Sequence, residues 1–574
     1  MRSTLAANTI RHLLSLRTKD GVWEGSLASS ALSTATAVIA LAANGSADKA
    51  LVRRGRDWLA QHQNADGGWG DTVLSVSNIS TTALCWAALT DGPSASRAEA
   101  WLAKAAASTT PGALAKAIAD RYGKDRTFSV PILTALTIGG RLGPDGWRHV
   151  PQLPFEIAAC PHQWFQWLRL PVVSYALPAL IAIGLAKHRA RPHPVGSVLR
   201  NALTPRVMRI LGEIQPSCGG FLEATPLTSF VAMSLISAGM QTHEVVIKCL
   251  DFLRASIRDD GSWPIDTNLS TWLTTLAINA VPPEVFTTTE REHLTDWLLA
   301  QQFTAEHPYT HAAPGAWSWT NLPGAVPDAD DTAGALIALA RLGVRNAPVL
   351  DAAHQGVEWL LDLQNRDGGM PTFCRGWGHL PFDRSGADLT AHALRACAAW
   401  LPDLREPHAA RVRQAMPKAV AYLARIQNSD GSWTPLWFGH QHAPAEQNRT
   451  LGTARVVTAM RETGMGDAAA GVRWLLKAQN TDGGWGGAAG VESSVEETSL
   501  ALAALAQDGP EQALQAGVDW LASRTSNGTM FPFTPIGFYF ASLWYFEELY
   551  PVLFAASAAQ ALQNSRKLGV AALE

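Results

Sequence analysis

The sequence has little of several residue types and patterns, and each shortage excludes a class of protein. It contains six cysteines among 574 residues, far apart and without a Cys-x-x-Cys pair, so we expect buried, reduced thiols rather than a disulfide framework. Charged residues make up 17% of the chain, and its formal net charge is −3. Because no basic block is interleaved with aromatic residues, nucleic acid is not expected as a partner.

The sequence also shows no recognisable targeting segment and no long apolar run. Its first residues lead into a polar helix without the apolar core of a signal peptide, so secretion is not expected. The longest apolar stretch, residues 172–186, contains Pro178 and is too short for a membrane span. We therefore do not expect a membrane-spanning protein, whereas binding to a membrane surface stays open.

Tryptophan, in contrast, is abundant, since the chain has 22 Trp against 7 Tyr. Many of these residues belong to an internal repeat whose copies share a Gln, an Asp-Gly pair and usually a Trp. The clear copies occupy residues 63–69, 364–369, 427–433 and 479–485, and weaker copies occupy residues 259–263 and 19–23.

Each full copy of the repeat predicts a pair of helices. An amphipathic helix with Trp-Leu or Tyr-Leu near its end is followed by the Gln, the Asp-Gly turn and a second apolar helix. The glycine permits the positive φ that ends the first helix and reverses the chain. The Gln can reach backbone groups of the neighbouring pair while the Trp ring packs beside it. We therefore interpret the repeat as structural.

The sequence predicts an all-α fold, because strand patterns are sparse and Pro and Gly separate segments of helical length. Helix pairs that repeat many times can close into an α/α barrel with an inner and an outer layer. The repeat is strong before about residue 130 and after about residue 290, and it is degenerate between them. We therefore expect two α/α barrel domains built from helix-pair repeats with Gln…Asp-Gly-x-Trp motifs.

Three carboxylates lie close together at Asp328, Asp330 and Asp331, just before an apolar helical run. One interpretation is structural, because Asp residues cap helix N-termini and complement the positive helix end. The other is a strong acid. Clustered carboxylates cannot all ionise easily, so one can keep its proton while a cationic His and the helix N-terminus favour ionisation of its neighbour. We expect such a cluster to titrate as a unit.

Two signatures together resemble those of the squalene-hopene cyclase family, the bacterial class II triterpene cyclases. They are the repeated Gln…Asp-Gly-x-Trp motif and the Asp-x-Asp-Asp-Thr-Ala box at residues 328–333. A third, Asp388-Leu-Thr-Ala-His392, is similar to the family segment whose His hydrogen-bonds the acidic box. The resemblance covers essentially the whole chain. It implies two α/α barrels with an apolar cavity between them, residues 1–18 and 290–574 forming the catalytic barrel and residues 19–289 the inserted one.

The resemblance implies that Asp330 protonates a carbon–carbon double bond of an apolar isoprenoid such as squalene, which then cyclises to a polycyclic triterpenoid through carbocations. Asp328 and Asp331 would support this acid, and His392 would pair with the box. Aromatic faces suit a carbocation because they attract a cation without bonding to it. The positions similar to the family's cavity aromatics are Trp319, Phe373, Trp437, Tyr175, Phe531, Phe538 and Tyr545.

Protonation needs no diphosphate ionisation, so no metal ion or other cofactor is expected. The family implies peripheral or monotopic attachment to one membrane leaflet, here on the cytoplasmic side, and it is compatible with a homodimer. Phe373 stands where the family often has Tyr, and residues 29–37 carry no acid where the family commonly has Glu. These departures leave the exact substrate, the product and the terminating base or water open.

Three alternatives remain. A class II prenyl diphosphate cyclase of the copalyl type would use the same acid box and barrels, but it needs a cationic pocket that the sequence does not identify. A protein prenyltransferase β-subunit shares the helical barrel, but it needs a zinc site of Asp, Cys and His, for which the cysteine spacing offers no obvious set. A non-enzymatic helical repeat scaffold would use the acid box as helix caps.

Overall fold

The computed structural model describes residues 2–123, 125–161, 164, 176–194, 196–373, 383–538 and 542–571. In these ranges the chain is mostly helical. The α-helices are α1 (Arg2–Ser15), α2 (Ala31–Ala43), α3 (Lys49–Gln61), α4 (Ile79–Leu89), α5 (Pro93–Ala105), α6 (Pro111–Tyr122), α7 (Arg126–Ile138), α8 (Leu177–Ala190), α9 (Ser197–Glu213), α10 (Thr225–Ser237), α11 (Glu244–Ala255), α12 (Ser270–Ala280), α13 (Thr288–Ala300), α14 (Ala329–Leu342), α15 (Ala347–Leu363), α16 (Ala387–Trp400), α17 (His408–Ile426), α18 (Arg449–Thr463), α19 (Ala469–Ala478), α20 (Val495–Leu505), α21 (Glu511–Arg524) and α22 (Tyr550–Ala571).

Two small antiparallel sheets join segments that are distant in sequence. The strands are β1 (Ser29–Ser30), β2 (Trp263–Pro264), β3 (Phe438–Gly439), β4 (Ile536–Phe538) and β5 (Leu543–Tyr545). Strand β1 pairs with β2, and β4 lies between β3 and β5. Short 3-10 helices occupy Gly146–His149, Phe155–Ala159, Phe221–Glu223, Pro283–Val285, Leu401–Asp403 and Pro444–Glu446.

Six inner helices close a ring in the part of the molecule that carries the acid box. In ring order α12, α14, α16, α18, α20 and α22 each contact the next, and α22 contacts α12 again. Helices α13, α15, α17, α19, α21 and the N-terminal α1 pack against this ring as an outer layer. We call this unit the acid-box barrel.

A second ring is formed by earlier parts of the chain. Its described inner helices are α2, α4, α7, α8 and α10, each of which contacts the next, with α10 returning to α2. Helices α3, α5, α6, α9 and α11 pack on its outside. The predicted all-α fold with two α/α barrels is therefore confirmed.

Buried apolar side chains form two large clusters that follow the two rings. One contains residues between 5 and 27 and between 265 and 558; the other contains residues between 31 and 263 together with Tyr309, Val326 and Phe373. The acid-box barrel also includes α12, which precedes residue 290 and which the predicted division assigned to the inserted domain. The division at residues 18/19 and 289/290 itself stays a prediction.

The repeat motif joins successive helix pairs in the way that its residue types suggest. Buried Trp485 donates from Nε1 to the Leu475 carbonyl at 2.7 Å, and Gln479 donates to the carbonyls of Gly483 and Ala513 at 2.8 and 2.9 Å. Ala513 belongs to the next outer helix, so the Gln joins two helix pairs. The same indole-to-leucine hydrogen bond recurs at Trp23, Trp69, Trp263 and Trp433, which bond to Leu13, Leu59, Leu253 and Leu423.

The Asp-Gly turn needs its glycine for two reasons. Gly483 has a φ of +95°, a backbone conformation that other residues rarely adopt. A Cβ on Gly483 would lie 2.7 Å from the Ala516 carbonyl oxygen, so the neighbouring helix leaves no room for a side chain. The turn residue therefore sets both the chain reversal and the close approach of the next helix.

Two further expectations can be compared with the structure. Cys85, Cys249 and Cys397 are buried free thiols, as expected, and Cys218 is half-buried. Cys160 is exposed, because it follows a 3-10 helix at the surface, so the expectation of buried thiols was wrong there. Across the described helices, none combines the length and the apolar character needed to cross a membrane.

Candidate active site

The acid box forms the N-terminus of α14. Asp328 is the N-cap residue, and its Oδ1 accepts a hydrogen bond from the Asp331 backbone N–H at 2.8 Å. The Thr332 hydroxyl donates to the Asp328 carbonyl at 2.6 Å, and the Trp317 N–H donates to the Thr332 hydroxyl at 3.0 Å. The structural interpretation of this motif is therefore correct for Asp328, and it leaves the other two carboxyls for another purpose.

Asp330 and His392 form a close pair. His392 lies in α16 and places its Nδ1 2.6 Å from Asp330 Oδ1, while its side chain is 3% exposed. Burial alone would raise the pKa of Asp330, but the charge and the hydrogen bond of His392, together with the charge of Arg455, outweigh this and lower it. A carboxyl with a lowered pKa is a stronger proton donor once it is protonated.

The two flanking carboxyls have the opposite tendency. Burial raises the pKa of Asp328 to about 7, and burial together with the charge of Asp328 raises the pKa of Asp331. Asp328 Oδ2 and Asp331 Oδ1 are both buried, and no residue that the structure describes donates a hydrogen bond to either atom. A proton shared by these two carboxyls would supply that donor and would relieve their mutual repulsion. The box thus separates into one carboxyl that favours ionisation and a pair that favours holding a proton.

All three carboxyls line a large, predominantly apolar cavity. The cavity and its mouth contain about 1710 Å³ of space free of protein atoms. Its wall combines residues of both barrels, among them Leu84, Ile132 and Phe230 of the second barrel and Trp272 of the acid-box barrel. The acid group therefore faces a chamber that suits a long hydrocarbon better than a polar molecule.

Aromatic rings surround the acid within this cavity. Trp319, Phe373, Trp437 and Tyr545 line it, as the sequence predicted. Phe373 and Trp437 meet edge to face, with ring centroids 5.6 Å apart. The Asp388 carboxylate accepts hydrogen bonds from the Trp437 backbone N–H at 3.2 Å and from that of the preceding Leu436 at 3.1 Å, which fixes the loop that presents Trp437.

The remaining predicted aromatics are placed differently. The structure does not bring Phe531 to this cavity, because its ring stacks on His12 of α1 with centroids 5.4 Å apart. The backbone of Phe538 lies in β4 and pairs with the backbones of Phe438 and Leu543. The structure describes this backbone but not the Phe538 side chain. Tyr175 lies outside the described residues. For these two residues the sequence-based prediction stands as a prediction.

The structure adds cavity residues that the sequence analysis missed. Trp272 lies edge to face with His392 at a centroid distance of 6.1 Å, and its Nε1 donates to the Tyr550 hydroxyl at 3.2 Å. Tyr550 is hydrogen-bonded to Tyr545 at 2.9 Å. Asp266 is the one carboxyl outside the acid box among the described lining residues, and burial raises its pKa. The cavity aromatics predicted from the sequence came from the family resemblance, and no local motif marked Trp272, Tyr550 or Asp266.

Two family models match separate parts of the chain. The family model for the squalene-hopene cyclase C-terminal domain matches residues 269–558, and the model for the N-terminal domain of the same family matches residues 6–183. A squalene–hopene cyclase from Alicyclobacillus acidocaldarius is 24% identical over 527 residues, which cover 79% of this chain and 78% of that protein.

Other relatives match over a smaller part of their length. Enfumafungin synthase efuA from Hormonema carpetanum is 28% identical over 370 residues, covering 57% of this chain but 26% of that protein. The chain thus spans about a quarter of this relative. Among solved structures, the ent-copalyl diphosphate synthase from Streptomyces platensis has a TM-score of 0.59 at 19% identity and covers 98% of this chain and 99% of that one, which shows a shared fold.

The acid box, its histidine and the barrel repeats therefore coincide with a family match that extends over half of the chain in the C-terminal domain alone. The protein belongs to the squalene-hopene cyclase family.

Proposed function

We propose that the protein is a class II, protonation-initiated terpene cyclase that converts a linear polyene such as squalene into a polycyclic triterpenoid. The observation that carries this proposal is the position of Asp330. Its carboxyl pairs with His392 at 2.6 Å on the wall of an apolar cavity that aromatic rings line. The apolar wall of this cavity does not suit a polar substrate. Protonation of an alkene, in contrast, requires a strong acid in apolar surroundings that exclude water.

The first step transfers the Asp330 proton to one carbon of a terminal double bond. The π electrons form the new C–H bond, the other carbon becomes a tertiary cation, and Asp330 becomes a carboxylate. The hydrogen bond and charge of His392 and the charge of Arg455 stabilise this carboxylate and lower the pKa of Asp330. Burial lowers the pKa of His392, and the Asp330 carboxylate opposes that change, so the charged imidazole is favoured once Asp330 has given up its proton. The N-terminus of α14 contributes in the same direction, since helix N-termini favour negative charge.

The cation then moves as successive double bonds add to it and rings close. Each addition leaves the positive charge on a new carbon, so the cavity has to stabilise a moving cation without capturing it. The faces of Trp272, Trp319, Phe373 and Trp437 are available for this purpose. A cation over a desolvated aromatic face gains about 2 kcal/mol. The last cation is quenched by loss of a proton, or by addition of water followed by loss of a proton from the resulting oxonium ion. Either route releases one proton and so balances the proton taken up at the start.

We further propose that the enzyme associates peripherally with the cytoplasmic leaflet of a membrane, because a long polyene resides there. Four exposed apolar side chains support this: Ile157, Trp164, Val198 and Leu199. Arg200 of α9 forms an ion pair with Glu156 at 3.0 Å. This pair joins the start of α9, which carries Val198 and Leu199, to the 3-10 helix that carries Ile157. Sedimentation with phospholipid vesicles tests the association; a Val198→Asp and Leu199→Asp double variant is expected to stay in the supernatant while the wild-type protein pellets.

The copalyl type of reaction is the second candidate, since it uses the same acid. A diphosphate-bearing substrate would need cations on the cavity wall, and the described lining residues include neither Lys nor Arg. Squalene is therefore the better supported substrate. Incubating the purified protein with squalene and, separately, with geranylgeranyl diphosphate separates the two reactions, because each yields a cyclised product of different mass.

The test of the proposed function compares two matched substitutions in the same cavity. Asp330→Asn removes the proposed donor, whereas Asp266→Asn removes the cavity carboxyl outside the box. Mass spectrometry of the lipid extract is expected to show cyclised product with the wild-type protein and with Asp266→Asn, and none with Asp330→Asn. Equal product from all three proteins would refute the assignment of the acid.

A further inference from the structure

A second cavity lies inside the acid-box barrel, behind His392. All six inner helices of the barrel contribute to its wall, and the cavity and its mouth contain about 1250 Å³ of space free of protein atoms. His392 lines this cavity, whereas its partner Asp330 lines the apolar one. The Asp330–His392 pair is therefore the place where the two chambers adjoin.

The second cavity differs from the first in its charge. Its described titratable lining residues are four arginines, Arg341, Arg395, Arg455 and Arg461, together with His392 and Glu462. Asn279, Gln507 and Gln560 add hydrogen-bonding groups to the wall. Among the described lining residues, arginines outnumber carboxylates four to one.

Two of the arginines are neutralised by carboxylates at the rim. Arg395 forms a bidentate pair with Glu462, at 2.6 and 2.9 Å, and Arg461 pairs with Asp508 at 2.6 Å. Glu462 is 48% exposed and Asp508 37% exposed, so these pairs lie where the cavity meets solvent. The second cavity therefore opens to solvent at a rim of charged side chains, which suits the entry of a charged solute.

The other two arginines have no carboxylate partner. In the described part of the chain no acid lies within ion-pair distance of Arg341 or Arg455. Arg341 donates to the Val281 carbonyl at 2.8 Å, but its Nε is buried with no acceptor in the described ranges, as is the Nε of Arg461. The Arg455 guanidinium makes no hydrogen bond to any described residue. The two carboxyls that act on it through space are bonded elsewhere, Asp330 to His392 and Asp388 to the backbone N–H groups of Leu436 and Trp437.

Arg341 and Arg455 are half-buried, and a guanidinium group withdrawn from water without a counter-charge favours a ligand that supplies one. We propose that this cavity binds a small phosphate-type oxyanion between Arg341 and Arg455. Planar guanidinium groups recognise phosphate oxygens through two parallel hydrogen bonds. The buried Nε of Arg341 and the guanidinium of Arg455, which has no hydrogen bond to a described residue, are available for such bonds. The anion would lie on the side of His392 that faces away from the apolar cavity.

The proposal is tested by binding, independently of any cyclase activity. Calorimetric titration of the full-length protein with inorganic phosphate and with inorganic diphosphate, at constant ionic strength in chloride, is expected to show saturable binding. Arg455→Gln is expected to weaken binding at least about tenfold, the effect of losing one charge-assisted hydrogen bond. Arg449→Gln is the matched control, because Arg449 lies on the same helix and pairs with the exposed Asp430 instead; it should bind as the wild type does.

Two further arms complete the test. Geranylgeranyl diphosphate distinguishes the sources of the oxyanion: displacement of bound phosphate would assign the site to the diphosphate of a prenyl ligand, and lack of displacement to a free oxyanion. Crystals of the wild-type protein soaked in selenate are expected to show an anomalous peak between Arg341 and Arg455, which serves if Arg455→Gln does not fold. Absence of saturable binding by the wild type, or equal binding by Arg455→Gln, would overturn the proposal.

Discussion

His392 Nδ1 lies 2.6 Å from Asp330 Oδ1, and the two side chains face different cavities. Asp330 lines the apolar cavity in which protonation is proposed, while His392 lines the second cavity, the one with four arginines. The acid can therefore be strengthened by positive charge that never enters the chamber. This arrangement keeps the imidazole of His392 out of the wall of the apolar cavity.

Removing the histidine partner should weaken the acid. His392→Phe keeps an aromatic ring against Trp272 but removes the hydrogen bond and charge that lower the pKa of Asp330. With a higher pKa, Asp330 donates its proton less readily, so we expect kcat to fall about 100-fold or more. Steady-state product formation measures the change, and circular dichroism checks the fold. Turnover equal to wild type would show that the pair does not set acid strength.

The flanking pair should make stability depend on pH. The pKa of Asp328 is about 7 in the folded protein against 3.8 as the reference, so between these values the folded state binds more protons than the unfolded one. The stabilisation is complete below pH 4 and is lost as the pH rises through about 7, a change on the order of a few kcal/mol.

Asp328→Asn isolates this contribution, because Asn also caps helices but does not titrate. Urea unfolding of both proteins at pH 5, 6, 7 and 8 is expected to show the wild type losing stability relative to the variant as the pH rises. A constant difference across this range would mean that Asp328 is ionised throughout. Other buried acids, such as Glu547 with a pKa of about 7, affect both proteins alike.

Aromatic faces of the cavity should contribute to turnover through their charge distribution rather than their bulk. Trp319→Leu keeps the cavity apolar but removes the π face, and a loss of about 2 kcal/mol corresponds to about 30-fold in rate. Trp319→Phe keeps a face and should lose less. Gas chromatography of products, with rates for both variants, decides this; equal losses would assign Trp319 a purely steric role.

The repeat tryptophans should affect stability and not chemistry. Trp485→Phe leaves the buried Leu475 carbonyl without its donor, which is expected to cost about 1–3 kcal/mol of unfolding free energy. Trp474→Phe is the matched control, since its N–H bonds the partly exposed Asp430 at 3.2 Å, and solvent can replace it. Denaturant titration measures both. A similar cost for the two substitutions would contradict the proposed role of the buried indole.

The features that were predictable from sequence are those that local patterns encode. The Asp-Gly turn with its positive-φ glycine, the buried Trp485 and the acid box at the start of α14 each depend on a few consecutive residues. The partnership of His392 with Asp330 followed from a resemblance between short segments. The folded structure has these motifs in the local conformations that the sequence predicts.

The features that were missed depend on tertiary structure. Arg455 lies within an α-helix and its sequence context does not reveal that it faces a cavity. Asp266 follows a repeat turn and reaches the apolar chamber only because the two barrels meet there. Phe531 belongs to an aromatic-rich segment in which the sequence does not specify which rings face inward, and its stacking on His12 of α1 depends on where the N-terminus packs.

The central claim is that Asp330 delivers a solvent-derived proton to an olefin. Its most direct test is cyclisation of squalene by the purified protein in deuterium oxide, with the deuterium content of the product measured by mass spectrometry. The account predicts one carbon-bound deuterium per product molecule for the wild type and for Asp266→Asn, and no product for Asp330→Asn. A cyclised product without deuterium, or undiminished deuterated product from Asp330→Asn, would contradict it.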